Sequence, residues 1–219
     1  AGTYTAYLMD DSACVIQQNF VIYEPDTINP LIDTQPILCF GNSTGGIAVQ
    51  AFGGTQPYEY SFDGGGSFSG VFAVGSLVAN NYNVVIQADN GCTSSELVSI
   101  TEPPLLGSSI TTTDLLCNSD NTGVIEFNAT GGSPSYLYSI DAGANQNNSN
   151  IFNNLAAGNY NVNVTDSLGC TWDSTVVITE PTSLDFTSVL TSSFCSPPSG
   201  QIDLTGSGGT GAYSFTIDS

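Results

Sequence analysis

Residues 155–170, LAAGNYNVNVTDSLGC, contain the pattern that decides the fold of this chain. Here Tyr160, Val162 and Val164 alternate with polar residues, and a period of two is typical of a half-buried β-strand. Turn-forming residues and a cysteine follow the strand. A related stretch, LVANNYNVVIQADNGC, occupies residues 77–92, so the same strand and turn occur at a fixed interval along the chain.

The cysteines have the same period. They are Cys14, Cys39, Cys92, Cys117, Cys170 and Cys195. Each cysteine recurs after 78 residues, as from Cys14 to Cys92 and from Cys39 to Cys117. A fixed period of 78 residues predicts tandem structural repeats. Residues 1–26 form the C-terminal part of a repeat, residues 27–104 and 105–182 are complete repeats, and residues 183–219 form the N-terminal part of another. Because both ends fall inside a repeat, we expect the sequence to be a fragment of a longer array.

Each complete repeat contains several short alternating runs separated by Gly, Pro, Asn and Asp, and no helical periodicity competes with them. Roughly seven such strands are typical of an immunoglobulin-like or fibronectin-III-like β-sandwich, whose strands are lettered A to G. Residues 155–160 resemble the tyrosine corner between strands E and F, which predicts that the Tyr160 hydroxyl donates to nearby backbone. We therefore predict an all-β chain of tandem β-sandwich repeats of about 78 residues.

The charge of the chain excludes several classes of function. It has no Lys, Arg or His and 20 acidic residues, for a net charge of −20. Nucleic acids and anionic bilayers would repel it, so we predict neither nucleic-acid binding nor direct membrane insertion. General acid–base chemistry would depend on paired carboxylates, but acids such as Asp63, Asp141 and Asp166 lie in predicted turns. We predict no catalytic residues, no enzyme activity and no cofactor other than calcium.

Calcium is the one ion that the acidic residues suggest, because carboxylates at module junctions can make a rod rigid. Glu102 and Glu180 recur at the end of the last strand, and we expect Asp89, Asp114 and Asp166 nearby. The alternative is that each Glu-Pro pair only ends a strand and begins a linker. The chain has no Asp-x-Asp-x-Asp run and no Gly-rich nonapeptide. These five acids are therefore candidate ligands only.

The order of motifs resembles the SprB-type repeat of Bacteroidota gliding and cell-surface adhesins. The motifs are Cys-x-Gly or Cys-Asn, Gly-x-Ile-x-Val/Phe, Gly-Gly-x-x-x-Tyr-x-Tyr-Ser, Gly-x-Tyr-x-Val-x-Val-x-Asp-x-x-Gly-Cys and Ile-Thr-Glu-Pro. The residues that carry them are Cys39, Gly41, Gly46, Ile47, Val49, Gly53, Gly54, Tyr58, Tyr60, Ser61, Cys117, Gly123, Ile125, Phe127, Gly131, Gly132, Tyr136, Tyr138, Ser139, Gly158, Tyr160, Asp166, Gly169, Cys170, Glu180 and Pro181.

This resemblance spans nearly the whole chain, with Ala13 in place of a glycine and one residue fewer around Pro197 and Pro198. It implies a large protein, exported by the type IX system and displayed extracellularly on the outer membrane. We expect a stalk, filament or fibre whose partners are further repeats of the same chain or identical chains. A carbohydrate- or cell-binding adhesin module that recognises surface polysaccharide is the alternative, and a surface-layer protein is the third. Exposed Tyr or Trp clusters on a loop would favour the binding module.

Disulfide pairing follows from the expected sandwich, because thiols outside the cell are normally oxidised. Cys39 and Cys117 follow strand A, whereas Cys92 and Cys170 follow the F–G turn at the opposite end, about 30 Å away. A disulfide tolerates about 6 Å between Cα atoms. Where two repeats meet, the A–B loop of one repeat faces the F–G loop of the next. We therefore predict a disulfide between Cys39 and Cys170 across a junction. The within-repeat pairs Cys39–Cys92 and Cys117–Cys170 stay open, as do sequence neighbours such as Cys92–Cys117.

Four Ser and Thr residues are candidates for glycosylation. The Asp-Ser/Thr-apolar pattern that Bacteroidota use for O-glycosylation occurs at Ser12, Thr27, Ser167 and Ser174. A three-residue pattern also recurs by accident in a chain rich in Ser and Thr. These four hydroxyl groups are candidate glycan attachment sites.

Overall fold

A computed structural model of the chain describes residues 1–192 and 200–218. Cys195 and the shortened stretch around Pro197 and Pro198 lie outside these residues. The chain divides into two compact units, Ala1–Glu102 and Pro103–Ser219. No helix in the described part of the chain has the length and apolar character needed to cross a bilayer.

The first unit consists of a hairpin and one complete sandwich. Its strands are β1 (Gly2–Met9), β2 (Val15–Ile22), β3 (Asn29–Gln35), β4 (Gly45–Phe52), β5 (Tyr58–Ser61), β6 (Ala73–Leu77), β7 (Asn80–Ala88) and β8 (Thr93–Ile100). Antiparallel β1 and β2 form the hairpin, and the sandwich has two antiparallel sheets ordered β3-β4-β6 and β5-β7-β8. In the lettering of such sandwiches, β3 to β8 are strands A, B, C, E, F and G.

The second unit repeats this arrangement in the opposite order, with the complete sandwich first. Its strands are β9 (Gly107–Thr113), β10 (Gly123–Thr130), β11 (Leu137–Ser139), β12 (Ile151–Leu155), β13 (Gly158–Thr165), β14 (Thr171–Ile178), β15 (Asp185–Thr191) and β16 (Gln201–Ser207). The sheets are β9-β10-β12 and β11-β13-β14, and β15 pairs with β16. Strands β9 to β14 are again A, B, C, E, F and G.

The core of each sandwich consists of the alternating residues that the sequence pattern indicates. In the second unit Ile125 and Phe127 of β10 are buried, as are Val162 and Val164 of β13 and Ile178 of β14. The first unit buries the equivalent positions of β4, β7 and β8. Side chains from both sheets therefore fill the space between them, as the period of two requires.

The prediction of an all-β, immunoglobulin-like fold is confirmed. The strand number is corrected from roughly seven to six per complete sandwich among the described residues. The stretch between β5 and β6 contains Gly64, Gly65 and Gly66, and it folds around the Asp63 side chain instead of extending. Glycine runs weaken a strand, which explains the missing strand D of the first unit. The equivalent stretch of the second unit, residues 140–150, has no glycine run and folds around the Asp141 side chain.

The tyrosine corner is present in both sandwiches. The Tyr160 hydroxyl donates a hydrogen bond to the Ala156 carbonyl at 2.9 Å, and the Tyr82 hydroxyl donates to the Val78 carbonyl at 3.0 Å. The hydroxyl thus fastens the E–F connection to the first residues of strand F. This detail of the predicted fold is confirmed.

Removing the Tyr160 hydroxyl should have a modest effect on stability. Tyr160→Phe is expected to lower the free energy of unfolding by about 0.5–1.5 kcal/mol, because one hydrogen bond is lost while the ring remains. Tyr160→Ala should cost several times more, since it also removes the packed ring. Urea unfolding of both variants tests this expectation. Equal losses for the two variants would show that the ring contributes nothing.

Candidate functional site

The two complete sandwiches share one polar contact at the end of strand G. Oε2 of Glu102 accepts a hydrogen bond from the backbone N–H of Gly41 at 2.7 Å, and Oε2 of Glu180 accepts one from Ser119 at 2.6 Å. Gly41 and Ser119 lie in the A–B loop. The recurring glutamate therefore fastens the end of strand G to the A–B loop of the same repeat.

Asp114 lies at this same end of the second sandwich. Its Oδ1 accepts a hydrogen bond from the backbone N–H of Thr179 at 2.7 Å, and Leu115 donates to the Thr179 carbonyl at 3.0 Å. The backbone hydrogen bond from Thr179, followed by one from its side chain, holds the pKa of Asp114 below its usual value. This carboxylate joins the start of the A–B loop to strand G.

The opposite end of the sandwich contains the F–G turn. Asp166 is buried, with Oδ1 accepting from the N–H of Cys170 at 2.9 Å and Oδ2 accepting from the N–H of Ser133 at 2.8 Å. In the first unit the F–G turn is held by a backbone contact, because the Asp89 N–H donates to the Thr55 carbonyl at 3.0 Å. In both units the F–G turn is thereby tied to the B–C loop.

Within each unit, the candidate calcium ligands lie at two different ends of the sandwich. Glu102, Asp114 and Glu180 lie at the A–B end of their sandwiches, and Asp89 and Asp166 lie in F–G turns. Within residues 1–192 and 200–218, no three acidic or cysteine side chains cluster as a metal site would require. Calcium takes six to eight oxygen ligands, whereas four of these carboxylates already accept backbone N–H groups. A junction calcium ion stays a prediction.

A serine and an aspartate build the turn that follows strand C. The Ser139 hydroxyl donates to the Asp141 carboxylate, and the N–H of Asn145 donates to the same carboxylate at 2.9 Å. The Ser139 hydrogen bond, together with the bonds from Asn145, lowers the pKa of Asp141 to about 2. Ser61 and Asp63 repeat the arrangement, and the pKa of Asp63 is also lowered, chiefly by the Ser61 hydrogen bond. The turn acids were predictable from the sequence, but the serines that orient them were not.

The lowered pKa of Asp141 predicts a pH dependence of stability. The ionised carboxylate contributes stability above its unfolded pKa near 4, and this contribution is lost as the pH falls toward the folded value of about 2. Asp141→Asn should therefore lower the melting temperature at pH 7 and have little effect at pH 2. Glu126→Gln, which removes one charge from an exposed position on β10, controls for net charge. An equal effect of Asp141→Asn at both pH values would contradict this prediction.

A second tyrosine contact, which sequence analysis missed, closes the B–C loop. In three repeats a tyrosine hydroxyl donates to the carbonyl of the first glycine in the Gly-Gly motif. The pairs are Tyr58 with Gly53, Tyr136 with Gly131, and Tyr213 with Gly208. The recurring Gly-Gly-x-x-x-Tyr spacing was the available signal, because a loop this short brings the ring back over its own start.

The cysteines differ in their state. Cys39 and Cys170 are disulfide-bonded, while Cys14, Cys92 and Cys117 are free and exposed. The within-repeat alternatives and the neighbour pair Cys92–Cys117 all require Cys92 or Cys117, and these two thiols are free in the structure. The pairing of Cys39 with Cys170 stays a prediction.

The remaining candidate residues lie on the surface. Ser12, Thr27, Ser167 and Ser174 are all exposed, as glycan attachment requires, and modification at these positions stays a prediction. Trp172 is half-buried on β14 rather than presented by a loop. The single tryptophan therefore does not form the loop aromatic cluster that would favour a binding module.

Comparisons with known proteins give a match to one family model and similarities to solved structures. The model of the family described as SprB repeat matches residues 31–67 and 109–145, one segment in each complete sandwich. Curated protein sequences contain no match. Among solved structures, the chain is similar to the C-terminal 282-residue fragment of intimin, solved in complex with the intimin-binding domain of the translocated intimin receptor. That similarity has 11% identity and a TM-score of 0.26, and it covers 85% of this chain and 59% of the intimin chain.

The family matches confirm the resemblance to SprB-type repeats that the motifs suggested. Together with the all-β sandwich, they are features of extracellular, adhesin-type repeat proteins of the cell surface, which are generally not enzymes.

Proposed function

We propose that this chain, which matches the SprB repeat twice, is part of a structural and adhesive array on a bacterial cell surface. Its sandwiches serve as spacers in a stalk, filament or fibre of further repeats or identical chains. In this proposal the source is a member of the Bacteroidota, export follows the type IX route, and the array acts in surface adhesion or gliding. Nothing is turned over by the chain.

The observation that carries this proposal is the repetition of loop contacts in both sandwiches. The glutamate at the end of strand G, the tyrosine corner and the Ser-Asp turn occur in both copies, and each satisfies backbone groups of its own repeat. Recurring polar side chains are thus used to hold the fold of their own repeat. A net charge of −20 adds self-repulsion between chains. This repulsion keeps neighbouring chains soluble and separated on a densely covered cell surface.

One observation favours the alternative of a carbohydrate- or cell-binding module. Phe40 is half-exposed in the A–B loop of the first sandwich, next to Cys39. Exposed rings can stack on sugars, but the equivalent position in the second sandwich is Asn118. A stacking surface present in one copy fits the array proposal less well than a contact present in both.

Immunogold electron microscopy of intact cells tests the proposed function. Antibodies raised against residues 27–182 should label extended fibres or stalks projecting from the cell surface. Labelling of a flat lattice would support the surface-layer alternative, and labelling of discrete terminal heads would support the binding module. Label confined to the cell interior would contradict all three.

A further inference from the structure

The first complete sandwich has an outward-facing row of residues in the middle of its β3-β4-β6 sheet. Ile47 and Val49 of β4 are buried in the core, so Ala48 between them points away from the core. Asp33 of β3 and Ala73 of β6 pair with Ala48 from its two sides. Residues directly opposite one another on neighbouring strands share a face of the sheet, so these three side chains all point outward.

Two exposed aliphatic side chains lie next to this row. Leu31 pairs with Gln50 of β4. The N–H of Val49 donates to the Phe72 carbonyl at 2.8 Å, which continues the register of β4 and β6 and places Val71 opposite Gln50. Leu31 is 61% exposed and Val71 is 60% exposed. The outward surface formed by Leu31, Asp33, Ala48, Val71 and Ala73 is here called the side face.

A groove of about 290 Å³ runs along the side face. The residues that line it include Asp33, Gln35, Gly46, Ala48, Ala73 and Gly75. The groove is open because its floor consists of glycines and alanines. A Cβ added at Gly46 would meet no atom closer than 3.4 Å, so the space outside Gly46 is empty. Ligand pockets measure about 300–1,000 Å³, so this smaller groove has room for one side chain.

The second sandwich has different residues at the positions of the side face, although its β9-β10-β12 sheet has the same pairing. Larger residues take the place of the groove floor, and polar residues take the place of the rim. Gly46, Ala48 and Ala73 correspond to Val124, Glu126 and Ile151, and Leu31, Asp33 and Val71 correspond to Ser109, Thr111 and Ser149. The fold tolerates large and polar residues at these positions. Folding alone therefore does not explain the small and aliphatic residues of the first copy.

The side face lies between the two ends of the first sandwich. The chain enters at the end that holds the B–C loop, where the N–H of Gly54 donates to the Asp26 carbonyl at 2.8 Å. It leaves at the opposite end, where Glu102 is bonded to the A–B loop. Neighbouring repeats are thus attached at the two ends. The exposure of the side face therefore does not depend on where the chain begins or stops.

Charge decides which occupant fits the side face. Asp33 places a carboxylate on the wall of the groove, and the chain has no Lys, Arg or His that could pair with it. A second copy of this chain carries the same charge of −20 and is repelled. A segment that contains Lys or Arg is attracted over a distance and can pair with Asp33 on contact. The exposed Leu31 and Val71 side chains require that the same segment also be apolar.

We propose that the side face of the first sandwich binds a basic, apolar segment of another protein. A Lys or Arg of the segment pairs with Asp33, and an apolar side chain enters the groove above Ala48. Leu31 and Val71 pack against the rest of the segment. The rim is aliphatic, whereas sugars stack on aromatic rings, so the chemistry favours a protein segment. The inference goes beyond the proposed function, because a spacer needs no face that differs from one repeat to the next.

NMR titration of the full chain with a short, end-blocked peptide of alternating Lys and Leu tests the proposal. The amide signals of Leu31 and Ala48 should shift and saturate, while those of Ser109 and Glu126 should stay in place. The second sandwich is an internal control for non-specific attraction, because Glu126 places a charge at the position of Ala48. Equal shifts in both sandwiches, or no shift in the first, would overturn the proposal.

Substitutions taken from the second sandwich separate the groove from the charge. Ala48→Glu fills the groove and adds a negative charge, so it should abolish peptide binding, whereas attraction by charge alone would make binding stronger. Asp33→Thr should weaken binding about 1.5- to 5-fold, as loss of an exposed ion pair does. The control Glu96→Ser removes the same charge from β8, which belongs to the other sheet. Stronger binding by Ala48→Glu, or equal losses for Asp33→Thr and Glu96→Ser, would contradict the assigned face.

Two further NMR measurements distinguish other occupants of the side face. Neutral cellotetraose should leave the signals of Leu31 and Ala48 in place, and so should dilution of the chain alone. Shifts with cellotetraose would identify a carbohydrate site, and shifts on dilution would identify a second copy as the occupant. Either result would overturn the proposal of a basic partner. Neither would affect the proposed function, which is tested separately by labelling cells.

Discussion

Replacing Phe127 by alanine is expected to destabilise the second unit by about 3–5 kcal/mol. The Phe127 side chain is 1% exposed, and its ring centroid lies 5.2 Å from that of Tyr138 and 5.7 Å from that of Phe152. Truncation leaves a cavity between the sheets and removes both ring contacts. A domain of this kind has about 5–15 kcal/mol of stability, so the loss is a large fraction of the total.

Fluorescence of Trp172 during urea unfolding measures this effect, because the only tryptophan lies on β14 of the second unit. The matched control is Phe186→Ala, which removes the same atoms from a side chain in this unit that is 62% exposed. Phe186→Ala should leave the unfolding transition that Trp172 fluorescence reports almost unchanged. Equal shifts for the two variants would show that Phe127 does not support the core.

The second large effect is expected at Gly131, the first glycine of the Gly-Gly motif. Its φ is +74°, and an added Cβ would lie 1.9 Å from the Leu105 carbonyl oxygen. Gly131→Ala should lower the free energy of unfolding by about 2–5 kcal/mol. Of this, about 1–2 kcal/mol comes from the strain of a left-handed backbone conformation in alanine. About 1–3 kcal/mol comes from the shift of neighbouring atoms that the added Cβ would force. The Gly131 carbonyl, which accepts a hydrogen bond from the Tyr136 hydroxyl, would move as well.

Gly169 is the control for this prediction. Its φ is +84°, but an added Cβ would meet nothing within 4 Å. Gly169→Ala should therefore show only the strain of about 1–2 kcal/mol. Thermal unfolding of the two variants separates close approach from backbone strain. If Gly169→Ala is as destabilising as Gly131→Ala, the contact with Leu105 does not matter.

Local patterns accounted for the predictions that the structure confirms. Tyr160, Val162 and Val164 alternate along one strand, and alternation alone tells which side of a strand is buried. The tyrosine corner is also local, because the hydroxyl of Tyr160 bonds to a carbonyl four residues earlier. Such features need no knowledge of how distant segments meet.

Long-range contacts explain what sequence analysis missed. Glu102 and Gly41 are 61 residues apart, and nothing in either segment indicates that the Glu102 carboxylate caps the A–B loop. Asp114 and Thr179 are 65 residues apart, and their contact likewise depends on the folded sandwich. The calcium hypothesis did not include these two contacts, because they form only once the sandwich has folded.

The sequence by itself determined the repeat, the all-β class, the strand alternation and the net charge of −20, because each is a property of composition or of residues close along the chain. Only the tertiary structure decided which carboxylates hold loops and that six strands complete a sandwich among the described residues. These features depend on sheets formed by residues far apart in sequence, and burial exists only once both sheets are in place.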